Sequence, residues 1–372
     1  MVIRRYCLLS QLRITSYELR LSDYCTSKHR AGQYNNSHGC LLREYYFPDV
    51  DSFVFLSLPP VEKSTIFENS SSTAFVLHNQ GKKSMSKQVA VLTDSTASIP
   101  EDFLEELKIR TVAYYIHRGQ EVLRDLVSIQ RAEFLAWLAT ASILPTTASP
   151  GPGDYIQAYK DLAESGVDEI VSIHMTSKAS GAYQAACIAQ SMLEEQMPDL
   201  HVEVIDTRNA ALCQGWMAIE AARAAISGLR LDQITAKVRA MVPVTHMLQT
   251  ADTLKYLYMG GRIGRAKHLV GSLLNIKPLI GVEDGEIVPL GVARSRAQAY
   301  QAMVDKVEEA VGKSKVKIAY VHAGAKQEVE KIKNMVENRL NAVESFIAEL
   351  SPALAIHTGP GTAGLCYFPV EG

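Results

Sequence analysis

The sequence predicts an α/β protein of two α/β domains, the first with a mostly parallel sheet covered by helices and the second with a mixed sheet. Three observations predict this. Short apolar runs such as Val89-Ala90-Val91-Leu92 and Ile170-Val171-Ser172-Ile173 alternate with amphipathic segments. Strands apolar throughout are those buried on both faces of a parallel sheet. Polar loops, Thr93–Thr96, Met175–Ser180 and Asp206–Asn209, follow these runs, at the strand ends where such sheets bind ligands. After Pro243 the pattern changes, and Glu283-Asp284-Gly285 between two apolar runs signals a hairpin.

The 372 residues suffice for a sizeable core and, by length, about two or three domains. A net charge of -2 with 21% charged residues excludes a broadly basic, nucleic-acid-binding chain. No apolar run reaches about 18 residues, so no membrane span is expected. Six cysteines, Cys7, Cys25, Cys40, Cys187, Cys213 and Cys366, have no CxxC spacing, and the ten histidines no HExxH. The expectation is a reducing, cytoplasmic protein without a zinc site or disulfide framework.

Residues 1–84 differ from the rest. Tyr34–Cys40 and Glu68–Ser72 are polar and aperiodic, and Phe53-Val54-Phe55-Leu56 is isolated by turn residues. Met1–Arg5 lacks the apolar stretch and cleavage site of a signal peptide. Met85 then opens onto a strand, so residues 1–84 are expected to be a poorly structured or artefactual extension and Met85 the start.

From Gln88 the elements follow in order. Val89–Leu92 is a strand, and Pro100-Glu101-Asp102 opens a helix with proline in its first turn. Thr111–Ile116 is a second strand and Gln130–Ala141 a helix. Pro145–Gly153 is a loop by composition. Helix Asp154–Ser165, strand Glu169–His174, strand Val202–Ile205 and helices Ala210–Ser227 and Leu231–Met241 complete the first domain. The second has strand His246–Thr250, helix Thr253–Met259 and the hairpin Ile276–Val282 with Glu286–Leu290. Helix Arg294–Val311, strand Lys317–His322, helix Lys326–Leu340 and strands Glu344–Leu350 and Ala353–His357 follow. The expected domains are 85–245 and 246–372.

The stretch His174–Ala186, HMTSKASGAYQAA, joins a strand end to a helix start through Thr176, Ser177, Ser180 and Gly181. Free N–H groups and the helix dipole there favour a negative group. Two readings stand side by side: Ser180 caps the helix, or it binds a ligand. The loop Thr146–Gly153, if it precedes a helix returning to the sheet, brings Thr147 within reach of Ser180. Gly359-Pro360-Gly361-Thr362-Ala363-Gly364 matches GxGxxG, but neither helix nor acidic residue can follow it, so it reads as a tight turn. P-loop and GxSxG motifs are absent. The basic stretch Gly260–His268 is either an oxyanion contact through Arg262 or a solvated loop. His357, placed at a strand end, is either structural or part of a cleft with Arg262.

Read together, these segments resemble the DegV family of fatty-acid-binding proteins from about Gln88 to Phe368. The landmarks are Leu92–Thr96, Thr146–Pro150, Ser172–Gln184, Val204–Thr207, Lys255-Tyr256-Leu257 with Gly260-Gly261-Arg262-Ile263, Leu274–Pro278 and His357–Gly361. The resemblance implies an acyl chain in a tunnel of the first domain, its carboxylate held at the inter-domain cleft by Thr147 and Ser180. Arg262, Arg294 and His357 would face the head group or a kinase, with the family arginine open between Arg294 and Arg296. It implies no cofactor and no catalytic residue, but a long-chain fatty acid ligand, C14–C18 such as palmitate. It also implies a monomer that presents the acid to a fatty acid kinase catalytic protein, the acyl phosphate feeding phospholipid metabolism. The chain departs from the family's TSQP pattern, with Ala148-Ser149 in place of glutamine. The rival expectation is a phosphotransferase or hydrolase acting on a small anion in the same cleft, with His357 as acid or base.

Overall fold

The computed structural model describes residues 32–35, 41–47, 52–58, 88–272 and 276–370. The chain forms two compact units, Met1–Gln80 and Gly81–Gly372. In the first, β1 (Gly32–Asn35), β2 (Leu41–Phe47) and β3 (Ser52–Leu58) make an antiparallel sheet in the order β1-β2-β3. The remainder of residues 1–84, and the start expected at Met85, lie outside the described residues.

The second unit begins with β4 (Val89–Asp94), α1 (Glu101–Glu106), β5 (Arg110–Val112), β6 (Tyr115–Arg118), β7 (Glu121–Arg124) and α2 (Arg131–Leu138). It continues through β8 (Thr146–Ala148), α3 (Pro152–Glu164), β9 (Glu169–His174), α4 (Ala182–Glu194), β10 (His201–Asp206), α5 (Leu212–Ile226) and α6 (Leu231–Met241). Strands β10-β9-β4-β5 form a fully parallel sheet. β4 and β9 are buried along nearly their whole length, as unbroken apolar runs require when helices cover both faces. Helix α4 buries Ala182, Ala185, Ala186, Ala189 and Leu193 on one stripe, while Met192, which the apolar spacing also suggests, is exposed.

A second sheet follows, from β11 (His246–Thr250), α7 (Lys255–Met259), β12 (Lys277–Glu283), β13 (Glu286–Ala293), α8 (Arg296–Val311) and β14 (Lys315–His322). Then come α9 (Lys326–Glu337), β15 (Asn341–Glu349), α10 (Pro352–Thr358) and β16 (Ala363–Val370). Its order is β13-β12-β11-β16-β14-β15, antiparallel except for β14 with β15. The expected mixed sheet is therefore present. Asp284 and Gly285 both have positive φ (49° and 82°), which matches the two-residue turn that the right-handed strand twist prefers.

Helix α5 joins the two layers. It packs on β4 and β9 on one side and on β16 on the other, and nearly all of it is buried. Trp216 lies 4.9 Å from Phe346 and 5.5 Å from Phe368, ring to ring, so the core of the first sheet runs into the second. At its rim Arg223 grips Glu344 through two bonds of 2.8 and 2.6 Å. Lys317 lies 2.8 Å from Glu220 and 2.9 Å from Glu344. The fork geometry and shared partners make this a network rather than an isolated surface pair.

Three local expectations are corrected. Ala353–His357 is helix, not strand: Ser351 Oγ accepts the Leu354 N–H and Pro352 occupies the first turn, together a helix start. Thr111–Ile116 divides into β5 and β6, which belong to different sheets. The Pro-bounded loop contains β8, which pairs with β6 in a small sheet of order β7-β6-β8. Beyond α10 the Gly359–Gly361 turn, with φ of 82° and 81° at its two glycines, leads into β16, so the GxGxxG match is a tight turn before a strand.

Candidate functional site: a cavity between the two sheets

Parallel pairing sends the loops after β4, β9 and β10 to one edge of the first sheet. There Thr147, Ser180, Arg262 and His357 line a single cavity of about 330 Å³. Thr147 is the middle residue of β8, opposite Ile116 of β6. Ser180 lies in the β9–α4 loop, which is tied down by Thr176 N–H to Asn209 O at 2.8 Å and by Ser177 N–H to the Asp206 carboxylate at 3.3 Å. The β8 and Ser180 loops touch: a Cβ added to Gly181 would lie 3.3 Å from Ser149 Oγ.

Ser180 stands one residue before the N-cap of α4, which is Gly181. Its Oγ accepts the first N–H of α4, from Ala182, at 3.3 Å, and the residue also lines the cavity. Its nearest side-chain partner is Tyr114 Oη, at 2.6 Å.

His357 is carried on α10, and its Nε2 lies 2.8 Å from Thr147 Oγ1. Its Nδ1 is buried and has no hydrogen-bond partner among the described residues. Burial, and then the Arg262 charge, push its pKa down to about 4, so the ring is neutral at physiological pH. A Cβ on Gly260 would collide with Nδ1, so glycine there is what lets α7 approach the ring. Arg262 Nη1 donates to Gly260 O at 2.6 Å and Nε to Ala179 O at 3.3 Å. Its side chain is exposed and spans two loops of the cavity mouth.

Arg294 does not join this group. It is exposed just before α8, its backbone N–H bonded to Gln298 Oε1, and it is not among the cavity residues. Arg296, the other register, is committed elsewhere. It binds both carboxylate oxygens of Asp252 (3.2 and 2.7 Å), Gly361 O (2.7 Å) and Tyr300 Oη (3.0 Å). That pins the turn after α10, an architectural task.

Several lining residues were not among the candidates read from the sequence. Tyr114 sits at the break between β5 and β6, where a strand read as continuous changes sheet. Gln249 and Met247 of β11, Leu257 of α7 and Leu354 of α10 complete the wall. These four come from after residue 245, so the lining draws on both sides of that boundary. The β12–β13 hairpin closes one side: Thr176 Oγ1 donates to Gly285 O at 3.0 Å, and Arg208 lies 3.7 Å from Asp284.

Behind the cavity a polar chain is sealed in the first sheet. Asp94 Oδ1 accepts from both Thr96 N–H and Thr96 Oγ1, and Asp94 Oδ2 lies 3.1 Å from His174 Nδ1. His174 Nε2 is 2.7 Å from Ser172 Oγ, which accepts from Tyr159 Oη at 2.9 Å. Asp94, Ser172 and His174 are wholly buried.

Residues 88–370 match the model of the family described as "Uncharacterised protein, DegV family". The chain belongs to the DegV family. A DegV domain-containing protein of Halalkalibacterium halodurans is 32% identical over 284 residues, 76% of this chain and 98% of that protein. Among solved structures, a DegV family protein from Thermus thermophilus, described for fatty acid binding, superposes with a TM-score of 0.71 at 28% identity, over 76% of this chain and 100% of that one. DegV of Bacillus subtilis, a fatty acid binding protein, gives 0.69 at 27% identity, over 77% and 100%. A stearic acid-binding protein from Eubacterium ventriosum gives 0.70 at 25% identity, over 76% and 98%. The two-domain α/β architecture is thus that of the DegV fold. No helix among the described residues is long and apolar enough to cross a membrane.

Proposed function

We propose that this chain binds a long-chain fatty acid, C14–C18 such as palmitate, with its carboxylate held by Thr147 and Ser180. In this reading it acts in the cytoplasm as a monomeric carrier. It presents the carboxylate to a fatty acid kinase catalytic protein, and the acyl phosphate enters phospholipid metabolism. One observation carries the reading. Two uncharged hydroxyls from separate segments line the same cavity as Met175, Met247, Leu257, Leu350 and Leu354. The fatty acid binding of the solved DegV relatives supports it.

The energetics agree. Burying a chain of about fourteen methylenes at ~0.8 kcal/mol each gives roughly 11 kcal/mol before ordering and association costs. The head group then needs orientation rather than a buried counter-charge, which would itself cost desolvation. Arg262, exposed at the mouth, would meet the added charge of an acyl phosphate and a docking kinase.

The rival reading, a phosphotransferase or hydrolase acting on a small anion, draws on His357 and on the Asp94–His174–Ser172 chain. Ser172 lies within β9, wholly buried, its hydroxyl engaged by Tyr159 and His174. His357 Nε2 is engaged by Thr147. Both arrangements favour a holding site over a nucleophile and its base. Mass spectrometry of an organic extract of the purified protein decides between the two. A C14–C18 fatty acid at near-stoichiometric amount is expected. Lipid-free protein that also takes up no added palmitate, yet hydrolyses or transfers a small phosphate ester, overturns the carrier reading.

A further inference from the structure

Tyr114 is part of the cavity wall, 4% exposed, and held at both ends of its peptide unit. Its N–H donates to Ser95 Oγ at 3.1 Å, and its carbonyl accepts from Asp125 N–H at 2.9 Å. The strand switch between β5 and β6 therefore fixes where the phenol points, 2.6 Å from Ser180 Oγ.

The inventory of protons gives this contact a direction. A serine hydroxyl has two acceptor positions and one donor. The Ala182 N–H fills one acceptor position of Ser180. The phenol keeps its proton, because burial and then the nearby Asp94 carboxylate raise its pKa well above the ordinary value. A buried phenol proton needs an acceptor. Thr96, the other hydroxyl beside the phenol, gives its own proton to Asp94, and Ser180 Oγ, at 2.6 Å, is the side-chain oxygen within hydrogen-bond distance of Tyr114 Oη. With the Tyr114 proton directed there, both acceptor positions of Ser180 are full. Only its own O–H remains, on a residue that lines the cavity.

We infer that Tyr114 is a positioning residue that commits the Ser180 hydroxyl to donating, so that the site selects an acceptor-only carboxylate over an isosteric head that carries N–H donors. This rests on the fatty-acid reading and deepens it. A primary amide has nearly the shape of a carboxylate but turns an NH₂ toward one of the hydroxyls. With Ser180 already saturated as an acceptor, an NH₂ turned toward it meets a donor and finds no partner, and an NH₂ turned the other way forfeits the bond that a carboxylate oxygen accepts from Thr147. Removing the phenol oxygen frees Ser180 to rotate and accept.

The test uses delipidated full-length protein, with palmitate and palmitamide as probes, in wild type, Tyr114→Phe, Ser180→Ala and the double variant. The expected result is a wild-type preference for palmitate. Tyr114→Phe should weaken palmitate about tenfold while palmitamide stays within about threefold or tightens. In the Ser180→Ala background Tyr114→Phe should change neither ligand by more than about twofold. Equal loss of both ligands, no change, or additive losses in the double variant overturns the assignment. If Tyr114→Phe does not fold, carboxyl-¹³C palmitate bound to wild type supplies the reading. Two donors facing the head group should hold its pKa below that of the free acid, and a carboxyl protonated at pH 7 overturns the proposal. Wild-type protein that binds neither probe overturns the fatty-acid reading and this inference together. Palmitate binding that is indifferent to Tyr114→Phe overturns this inference alone.

Discussion

His357 Nε2 and Thr147 Oγ1 are 2.8 Å apart across 210 residues of sequence, joining α10 of the second lobe to β8 of the first. A buried N–H without a partner is rarer than a buried lone pair without one. Since Nδ1 has no partner among the described residues, the proton belongs on Nε2 and is donated to Thr147. The threonine hydroxyl is then free to donate in turn, as Ser180 is.

Thr147→Ala and Ser180→Ala each remove one such donor. A hydrogen bond to a charged group is worth about 1.5–3 kcal/mol. Each variant should therefore weaken palmitate binding roughly 10- to 100-fold, and the double variant more, with the fold retained but the melting temperature lowered, because His357 Nε2 and the Tyr114 phenol lose their hydroxyl partners. Calorimetric titration of delipidated protein checks this, and full affinity in the double variant would remove the site.

His357 links stability to pH. Its folded pKa, about 4, lies below the unfolded value of 6.5. The unfolded chain then binds the extra proton between those limits, so stability is complete above about pH 6.5 and falls as the pH drops toward 4. The full shift corresponds to about 3 kcal/mol. His357→Gln, which does not titrate, should flatten this acid limb. Urea unfolding at pH 7.5 and pH 4.5 measures it. A limb of the same depth in the variant assigns it to other groups.

Asp125 behaves in the opposite sense. Burial raises its pKa to about 6, and bonds from Ser95, the Ala353 N–H and Ser351, with the Arg131 charge, only partly offset this. Its folded pKa lies above the unfolded 3.8, so wild type loses stability as pH rises from about 4 through 6. Asp125→Asn keeps an oxygen for the Ala353 N–H, which now lies 3.1 Å from Asp125 Oδ1. It should stabilise the protein by about 1–2 kcal/mol at pH 8, with the gain gone by pH 4. Thermal melts across that range read the crossing, and a variant less stable at pH 8 refutes the sign.

Gly260→Ala places a methyl against His357 Nδ1. Overpacking of this kind costs roughly 1–3 kcal/mol. The displaced ring should regain solvent, with its pKa rising from about 4 toward 6.5. Histidine NMR titration follows the ring directly. An unmoved pKa would mean that α7 shifts instead.

Arg262→Ala should reduce phosphorylation by a partner kinase far more than it reduces palmitate affinity, by about tenfold against less than about threefold. Its guanidinium is exposed, with backbone carbonyls as its hydrogen-bond partners, so its loss leaves no buried group unpaired. Equal loss of both functions would assign the arginine to lipid binding.

Much of the scaffold was readable locally. β4 and β9 are continuous apolar runs because both faces are covered. Ala353–His357 reads as strand from its sequence because a short apolar run fits strand or helix alike. The Ser351-Pro352 pair, a helix start, was the signal that decides it. Tyr114 had no signal, since what makes it part of the site is a change of sheet between β5 and β6.

By itself the sequence determined most of the elements, the parallel edge where polar loops gather, and the identity of Thr147, Ser180, Arg262 and His357 as candidates. Periodicity and turn chemistry are local properties, written within a few residues. The tertiary structure alone decided that these four line one cavity, that Arg294 lies outside it, and that Arg296 is held by Asp252. It also decided that Tyr114 lies 2.6 Å from Ser180 and His357 2.8 Å from Thr147. Such pairings depend on distances between residues far apart in the chain, and those distances are set only when α5, the two sheets and α10 pack together.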